Sequence, residues 1–402
     1  MFELHKFIAK NVTKRPKSLF LDDIKTNHEQ LVNKIENKTV LVVGGAGSIG
    51  SSYIKAILPY KPKSLIVIDI NENALAELTR DLRSTNGMYI PDEYVPYPMD
   101  YASPIFEKLF RAHGGFEIVA NFSAHKHVRS EKDMYSIEAL MRNNVFNAKK
   151  LLDLMVEYPP EEYFCVSTDK AANPVNIMGA SKRLMEDLIF SFSDKFPVKT
   201  ARFANVAFSN GSLPAGFLAR ISKLQPLSAP SDVKRYFVSP VESGQICMLA
   251  CMLGNNREIF FPKLKEEQMM SFDKIAEKLL EAYGYDVLKC DSDEEAIEKA
   301  IDLRNGSNKY PVHFSESNTS GEKPYEEFYT EDETADLERY QSLGVVIGKS
   351  LVDSEAFTEY LTEFEKLFSN KEVKKADVVD MIHRHLYNFA HIETGKSLDT
   401  KM

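Results

Sequence analysis

From Lys38 onward, short runs of β-branched and aliphatic residues alternate with longer stretches whose apolar positions recur at helical spacing. TVLVVGG is a buried-strand run that breaks into glycines, and SLIVIDI is a second run of the same kind. After it, NENALAELTRDLRS sets Leu75, Leu78 and Leu82 on one helix face. FEIVANFSA, EYFCVST and VKTARFANV read as further strands, and SIEALMRNNVFNAKKLLDLMV and the stretch from Met178 to Phe190 as helices. Strands separated by helices predict βαβ units, hence an α/β fold with a doubly wound parallel sheet covered on both faces.

The same pattern sets the expected boundaries. Residues 1–36 read as a helical N-terminal extension, with Asp22 or Asp23 capping a helix that carries Ile24, Leu31 and Ile35 on one face. Residues 37–206 hold the sheet. Gly211, Pro214, Pro226 and Pro230 then punctuate loops, with helices expected near 241–253 and 271–283 and a strand near YPVHF. Residues 207–330 are therefore predicted as a smaller substrate domain, from which the chain can cross back to the sheet. Residues 331–402 turn acidic and read as a helical C-terminal extension, with VDSEAFTEYLTEFEKLF and KKADVVDMIHRHLYNFA as a helix pair. The terminal helices have apolar faces that need covering, which predicts a homo-oligomer.

Composition narrows the partners. The 402 residues are 44% hydrophobic and 27% charged, ordinary for a soluble enzyme, and the net charge of −9 argues against nucleic acid. Four cysteines at 165, 247, 251 and 290 suggest no disulfide framework, and Cys247 and Cys251 have no neighbours to complete a metal set. No apolar run approaches the roughly 18 residues of a membrane span, and MFELHKFIAKNVTKRPKS lacks the core of a signal peptide. A cytoplasmic protein without a membrane segment is expected.

GGAGSIG, Gly44 to Gly50, follows the first strand directly and opens a helix. Gly44, Gly47 and Gly50 let the backbone turn sharply and approach a pyrophosphate, with Ser48 and Ile49 at the helix start. Asp69, about 20 residues on, ends LIVID and is placed for an adenosine ribose diol. Its carboxylate repels a 2′-phosphate, so the predicted cofactor is NAD on a Rossmann-type domain. Asp100 and Tyr101 are expected to edge the adenine, and Ser123 and Ala124 to end a strand beside the cofactor.

Thr168, Asp169 and Lys170 end another strand, and Met178 and Lys182 lie one turn apart on the helix that follows. Here the sequence resembles the extended short-chain dehydrogenase/reductases, most of which carry a tyrosine base four residues before the lysine. Met178 keeps that spacing but carries no proton. STDKAANPVNIMGASK is similar to the signature of UDP-N-acetylglucosamine 4,6-dehydratases of the polysaccharide-biosynthesis branch, one set of which has methionine there. AHKHV (124–128), RFANV (202–206), KRYFVSP (234–240) and SGEKPYEEF (320–328) extend the resemblance over roughly residues 38 to 330. Thr319 and Ser320 stand where the branch has arginine and proline, and Arg129 where it has proline.

The resemblance implies a redox-neutral dehydration of a UDP-sugar. Hydride leaves carbon 4 for NAD, a base takes the carbon 5 proton, an acid releases the carbon 6 hydroxyl, and hydride returns to carbon 6. It assigns Thr168 to the carbon 4 hydroxyl, Asp169 to the acid, Lys170 to the carbon 5 base and Lys182 to the nicotinamide ribose. It also places Lys126, His127 and Met178 at the sugar, with Asn205, Arg235, Arg220 and Glu322 toward the nucleotide. As a base Lys170 must be neutral, and burial beside Lys182 and the cofactor charge is expected to depress its pKa. A carbon 5-inverting dehydratase and a nucleotide-sugar epimerase are the alternatives.

Overall fold

The fold is described from a computed structural model covering residues 2–317, 323, 325–348 and 352–393. Its strands β1 (Thr39–Val43), β2 (Ser64–Asp69), β3 (Glu93–Pro98), β4 (Ile118–Asn121), β5 (Glu162–Val166) and β6 (Val198–Ala201) are all parallel. They lie in the order β3-β2-β1-β4-β5-β6, followed by Glu258–Pro262, also parallel. β1 pairs with both β2 and β4, so the chain winds outward from β1 to β3 and then restarts at β4. That reversal opens a crevice at the carboxyl ends of β1 and β4, where α/β sheets receive ligands. β2, β5 and β6 bury almost every position because helices cover both faces. Pro96 and Pro98 are tolerated in β3, which forms one edge of the sheet.

Two regions depart from the expected boundaries. Leu343–Ile347 pairs antiparallel with Glu258–Pro262, and Thr334–Asp336 completes that edge, so the segment after 331 is partly strand. Among the described residues, helices follow only at Ser354–Leu367 and Lys375–His383. Helix Pro240–Leu253, from the expected substrate region, belongs to the main core and is buried along most of its length. Its Gly244 crosses the glycine-loop helix so closely that a Cβ would lie 2.1 Å from the Ser52 carbonyl oxygen. Glu258–Pro262 and Phe328 of that region also join the main core, while Phe217, Leu227, Phe272, Leu279 and Val312 form a second core around a three-stranded parallel sheet.

The N-terminal extension is helical, as its pattern suggests, but breaks at Asn27 between Leu21–Thr26 and His28–Ile35. Asp23 does not cap. Its carboxylate accepts from the backbone N–H groups of Gln341 (2.7 Å) and Ser342 (2.9 Å), fixing the strand that follows. Phe7 and Val12 enter the second core, whereas Leu31 and Ile35 enter the main one, so the extension bridges the two. Phe357, Leu361 and Phe364 of the C-terminal pair are buried, and Phe364 and Phe368 meet Phe146 edge-on. Leu31, Ile35, Phe357, Leu361 and Phe364 of the terminal faces are thus covered within one chain, while Tyr387 stays exposed.

Candidate functional site

The glycine loop owes its shape to two separate steric demands. Gly44 has φ +70°, and a Cβ on it would stand 2.6 Å from the Ser123 amide nitrogen, so loop and β4 end approach backbone to backbone. A Cβ on Gly50 would lie 2.4 Å from the Gly44 carbonyl oxygen, which seats the helix Ser48–Ile57 on the loop. No side chain caps that helix, leaving its first amides to face an anionic group. Asp69 ends β2 and braces the loop, accepting from Ala46 N–H at 3.0 Å and Asn71 N–H at 2.9 Å. This cradle fits a dinucleotide pyrophosphate. Gly44→Ala is expected to lower stability by about 1–3 kcal/mol through the strained φ, read from the denaturant midpoint.

A cleft of about 1010 Å³ runs from this loop between the two cores. Gly44, Gly47, Ser48, Ile49, Gly50, Ala124, Lys126, His127, Thr168, Lys170, Met178, Lys182, Asn205 and Arg220 all line it, bringing together most of the residues singled out from sequence. Lys126 Nζ donates to the Asn210 carbonyl at 3.0 Å across one wall. Thr168, Asp169 and Lys170 follow β5 in a tight turn, and rather than splaying apart they converge. The Thr168 hydroxyl (2.8 Å) and the Lys170 ammonium (3.1 Å) both donate to Asp169 Oδ1. Asp169 is buried behind them. The helix Ile177–Ser191 begins with Asn176 accepting from Gly179 N–H at 2.7 Å, which sets Met178 and Lys182 on the cleft wall.

The two lysines are poised oppositely, and not as the sequence suggested. Burial alone would pull Lys170 down, but Asp169 and then Glu326 outweigh it and raise its pKa above the ordinary lysine value. The expected depression instead falls on Lys182. Burial pushes its amine down, against weaker opposing pulls from Cys165 and Glu186. Lys182 Nζ approaches the Met185 sulfur at 3.2 Å.

A family profile described as polysaccharide biosynthesis protein matches residues 40–346. The chain belongs to that family. Among its relatives is an uncharacterized membrane protein of Methanocaldococcus jannaschii, 31% identical over 79% of this chain and 88% of that one. Among the described residues here, no helix is long and apolar enough to cross a membrane. The probable polysaccharide biosynthesis protein EpsC of Bacillus subtilis is 29% identical over 64% of this chain, which spans only 42% of its length. The UDP-N-acetylglucosamine 4,6-dehydratase (inverting) of Campylobacter jejuni is 28% identical over 56% of this chain and 67% of its own. The fold matches DesIV, a dTDP-glucose 4,6-dehydratase of Streptomyces venezuelae solved with NAD bound, at TM-score 0.56 and 17% identity, covering 81% and 98% of the two chains. The likeness is one of fold, a Rossmann-type parallel sheet with helices on both faces.

Several residues predicted for the site in this family member lie elsewhere. Tyr101 turns into the core, where its hydroxyl donates to the Asn143 carbonyl at 3.0 Å, so its side chain cannot edge an adenine; Asp100 beside it stays exposed. Ser123 donates to Asn143 Oδ1 at 3.2 Å at the end of β4. Arg235 is buried near Glu326 and does not line the cleft wall. Glu322, Thr319 and Ser320 lie outside the described residues, as does the Arg129 side chain.

Sequence reasoning passed over three residues. Asn144 sits in a π-helical turn, Arg142–Phe146, and joins the His125 backbone to Ser181 Oγ on the helix Ile177–Ser191. Glu131 accepts from Met178 N–H at 3.1 Å. Glu326 is buried beside Lys170. A signal for it existed in YEEFY, where an extended alternation puts Glu326 on the same inward face as Phe328.

Proposed function

We propose that this protein is an NAD-dependent UDP-N-acetylglucosamine 4,6-dehydratase that forms the 4-keto-6-deoxy sugar nucleotide for surface-glycan synthesis. The observation that carries this reading is the Thr168–Asp169–Lys170 cluster, with Thr168 and Lys170 on the wall of a cleft whose other end is a dinucleotide cradle and Asp169 buried behind them. Gly44, Gly47, Ser48, Ile49, Gly50 and Asp69 would hold the cofactor, which when bound supplies reversible hydride transfer.

The chain's own groups handle the protons. At rest the proton lies on Lys170, 3.1 Å from Asp169. Its transfer to Asp169 leaves an amine to take the carbon 5 proton and a carboxylic acid to protonate the carbon 6 hydroxyl, both products of one step. Thr168 orients the carbon 4 hydroxyl. Lys182, depressed by burial and one turn from Met178, is suited to accept that hydroxyl's proton in place of the usual tyrosine.

Named relatives include UDP-glucose 4-epimerases of Rickettsia, one 28% identical over 62% of this chain. An epimerase needs no acid at carbon 6, and the Asp169–Lys170 pair favours dehydration over that reading. The methionine-containing signature favours retention at carbon 5. In deuterium oxide, the product is expected by NMR to carry deuterium at carbon 5 with the xylo configuration; an exclusively arabino product would refute retention.

A further inference from the structure

Behind the cleft wall, Lys170 is held by two carboxyl groups and not one. Asp169 Oδ1 lies 3.1 Å from its Nζ on one side, and Glu326 Oε1 lies 3.7 Å away on another. Glu326 is buried and comes from a segment far along the chain, between Lys323, whose Nζ donates to the Asn173 carbonyl at 2.6 Å, and Phe328. The charged groups facing Glu326 are Lys170 and Asp169 from the turn after β5, Arg235 Nη2 at 4.0 Å from the short strand Lys234–Arg235, and Lys323 from its own segment. Burial pushes the Glu326 carboxyl above the usual range, against the pull of Lys170.

We propose that Glu326 is a positioning residue for proton transfer: its carboxylate fixes the Lys170 side chain opposite Asp169 and stabilises the Lys170 ammonium that forms when the carbon 5 proton is taken. The logic follows from charge. Once Asp169 carries the proton as an acid, it no longer balances a cation, and Glu326 is the carboxylate that still faces Lys170. A base held and electrostatically supported by a third group that never touches the substrate is a recurrent device of nucleophile and base activation. Arg235 keeps Glu326 paired while Lys170 is neutral.

Competitive labelling of the Lys170 amine by acetic anhydride across pH, read by mass spectrometry of the peptide, tests this without substrate. In Glu326→Gln the Lys170 titration is expected to shift down by about one pH unit, with about tenfold more reactive amine at a fixed pH below both midpoints. Lys182, in the same samples, is expected to keep its titration. Glu326→Asp, which withdraws the carboxylate by one methylene, is expected to shift Lys170 in the same direction by less, and it serves if the glutamine variant fails to fold. Turnover in Glu326→Gln should fall at least tenfold with KM for the UDP-sugar little changed, and Glu326→Asp should recover part of it. The expected turnover loss rests on the dehydratase reading, whereas the titration stands without it. An unmoved Lys170 titration in these variants would overturn the role of Glu326 whether or not the wild type dehydrates a sugar.

Discussion

Asp169→Asn is expected to lose at least a hundredfold in turnover while cofactor and UDP-sugar binding stay near wild type. The amide keeps the shape of the carboxylate and can still accept from Thr168, 2.8 Å away. It cannot accept a proton from Lys170, so the amine and the acid are not generated together. General acid–base groups contribute about 10²–10⁴-fold, which sets the scale of the loss. Lys170 would also lose the closer of its two carboxylate partners. Steady-state kinetics with titration of the bound nucleotide separate this from a folding defect. A variant turning over within a few-fold of wild type would remove Asp169 from the mechanism.

Arg202→Met is expected to be the most damaging change to stability, at about 3–5 kcal/mol. Arg202 is fully buried, and its guanidinium donates to Glu186 at 2.8 and 2.6 Å, to Glu333 at 2.6 and 2.9 Å, and to the Phe328 carbonyl at 3.1 Å. Truncating it strands two buried carboxylates without the guanidinium that holds both, leaving Arg183 2.9 Å from Glu333 and 3.7 Å from Glu186. The cost comes from those stranded charges. Combining Arg202→Met with Glu186→Gln and Glu333→Gln is therefore expected to recover much of the loss. Urea unfolding of the single and triple variants decides this, and equal destabilisation in both would contradict it. The network also reaches the site, because Ser167 donates to Glu186 at 2.6 Å and Phe328 follows Glu326 closely in sequence.

Much of this architecture is written in local pattern. Strands β1, β2, β4, β5 and β6, the glycine loop and the helix carrying Met178 and Lys182 follow from short-range periodicity and steric need, since a parallel sheet covered on both faces forces continuous apolar runs, whereas the edge strand β3, with Pro96 and Pro98 and little burial, carries no such run. The antiparallel edge was harder to read. Thr334–Asp336 is short and acidic, and the LGVVI run sits within a stretch whose charge suggested helix, so only its pairing with Glu258–Pro262 defines it. Asp23 looks like a cap in sequence because its long-range partners, the amides of Gln341 and Ser342, are invisible there.

The electrostatics of the site were the least legible. Lys170 and Lys182 follow strand or helix signals, yet their protonation depends on which carboxylates the fold brings near. Glu326 reaches Lys170 through tertiary packing, whereas Glu186, closer in sequence to Lys182, is taken up by Arg202. Burial, Lys182 and the cofactor charge suggested a depressed Lys170, whereas Asp169 and Glu326 raise it and burial lowers Lys182.

The most direct test is mass spectrometry of UDP-N-acetylglucosamine incubated with the purified protein, with absorbance followed for reduced nicotinamide. Loss of one water without net accumulation of reduced cofactor is the predicted result. An unchanged mass with a new sugar isomer would contradict the account and make the enzyme an epimerase.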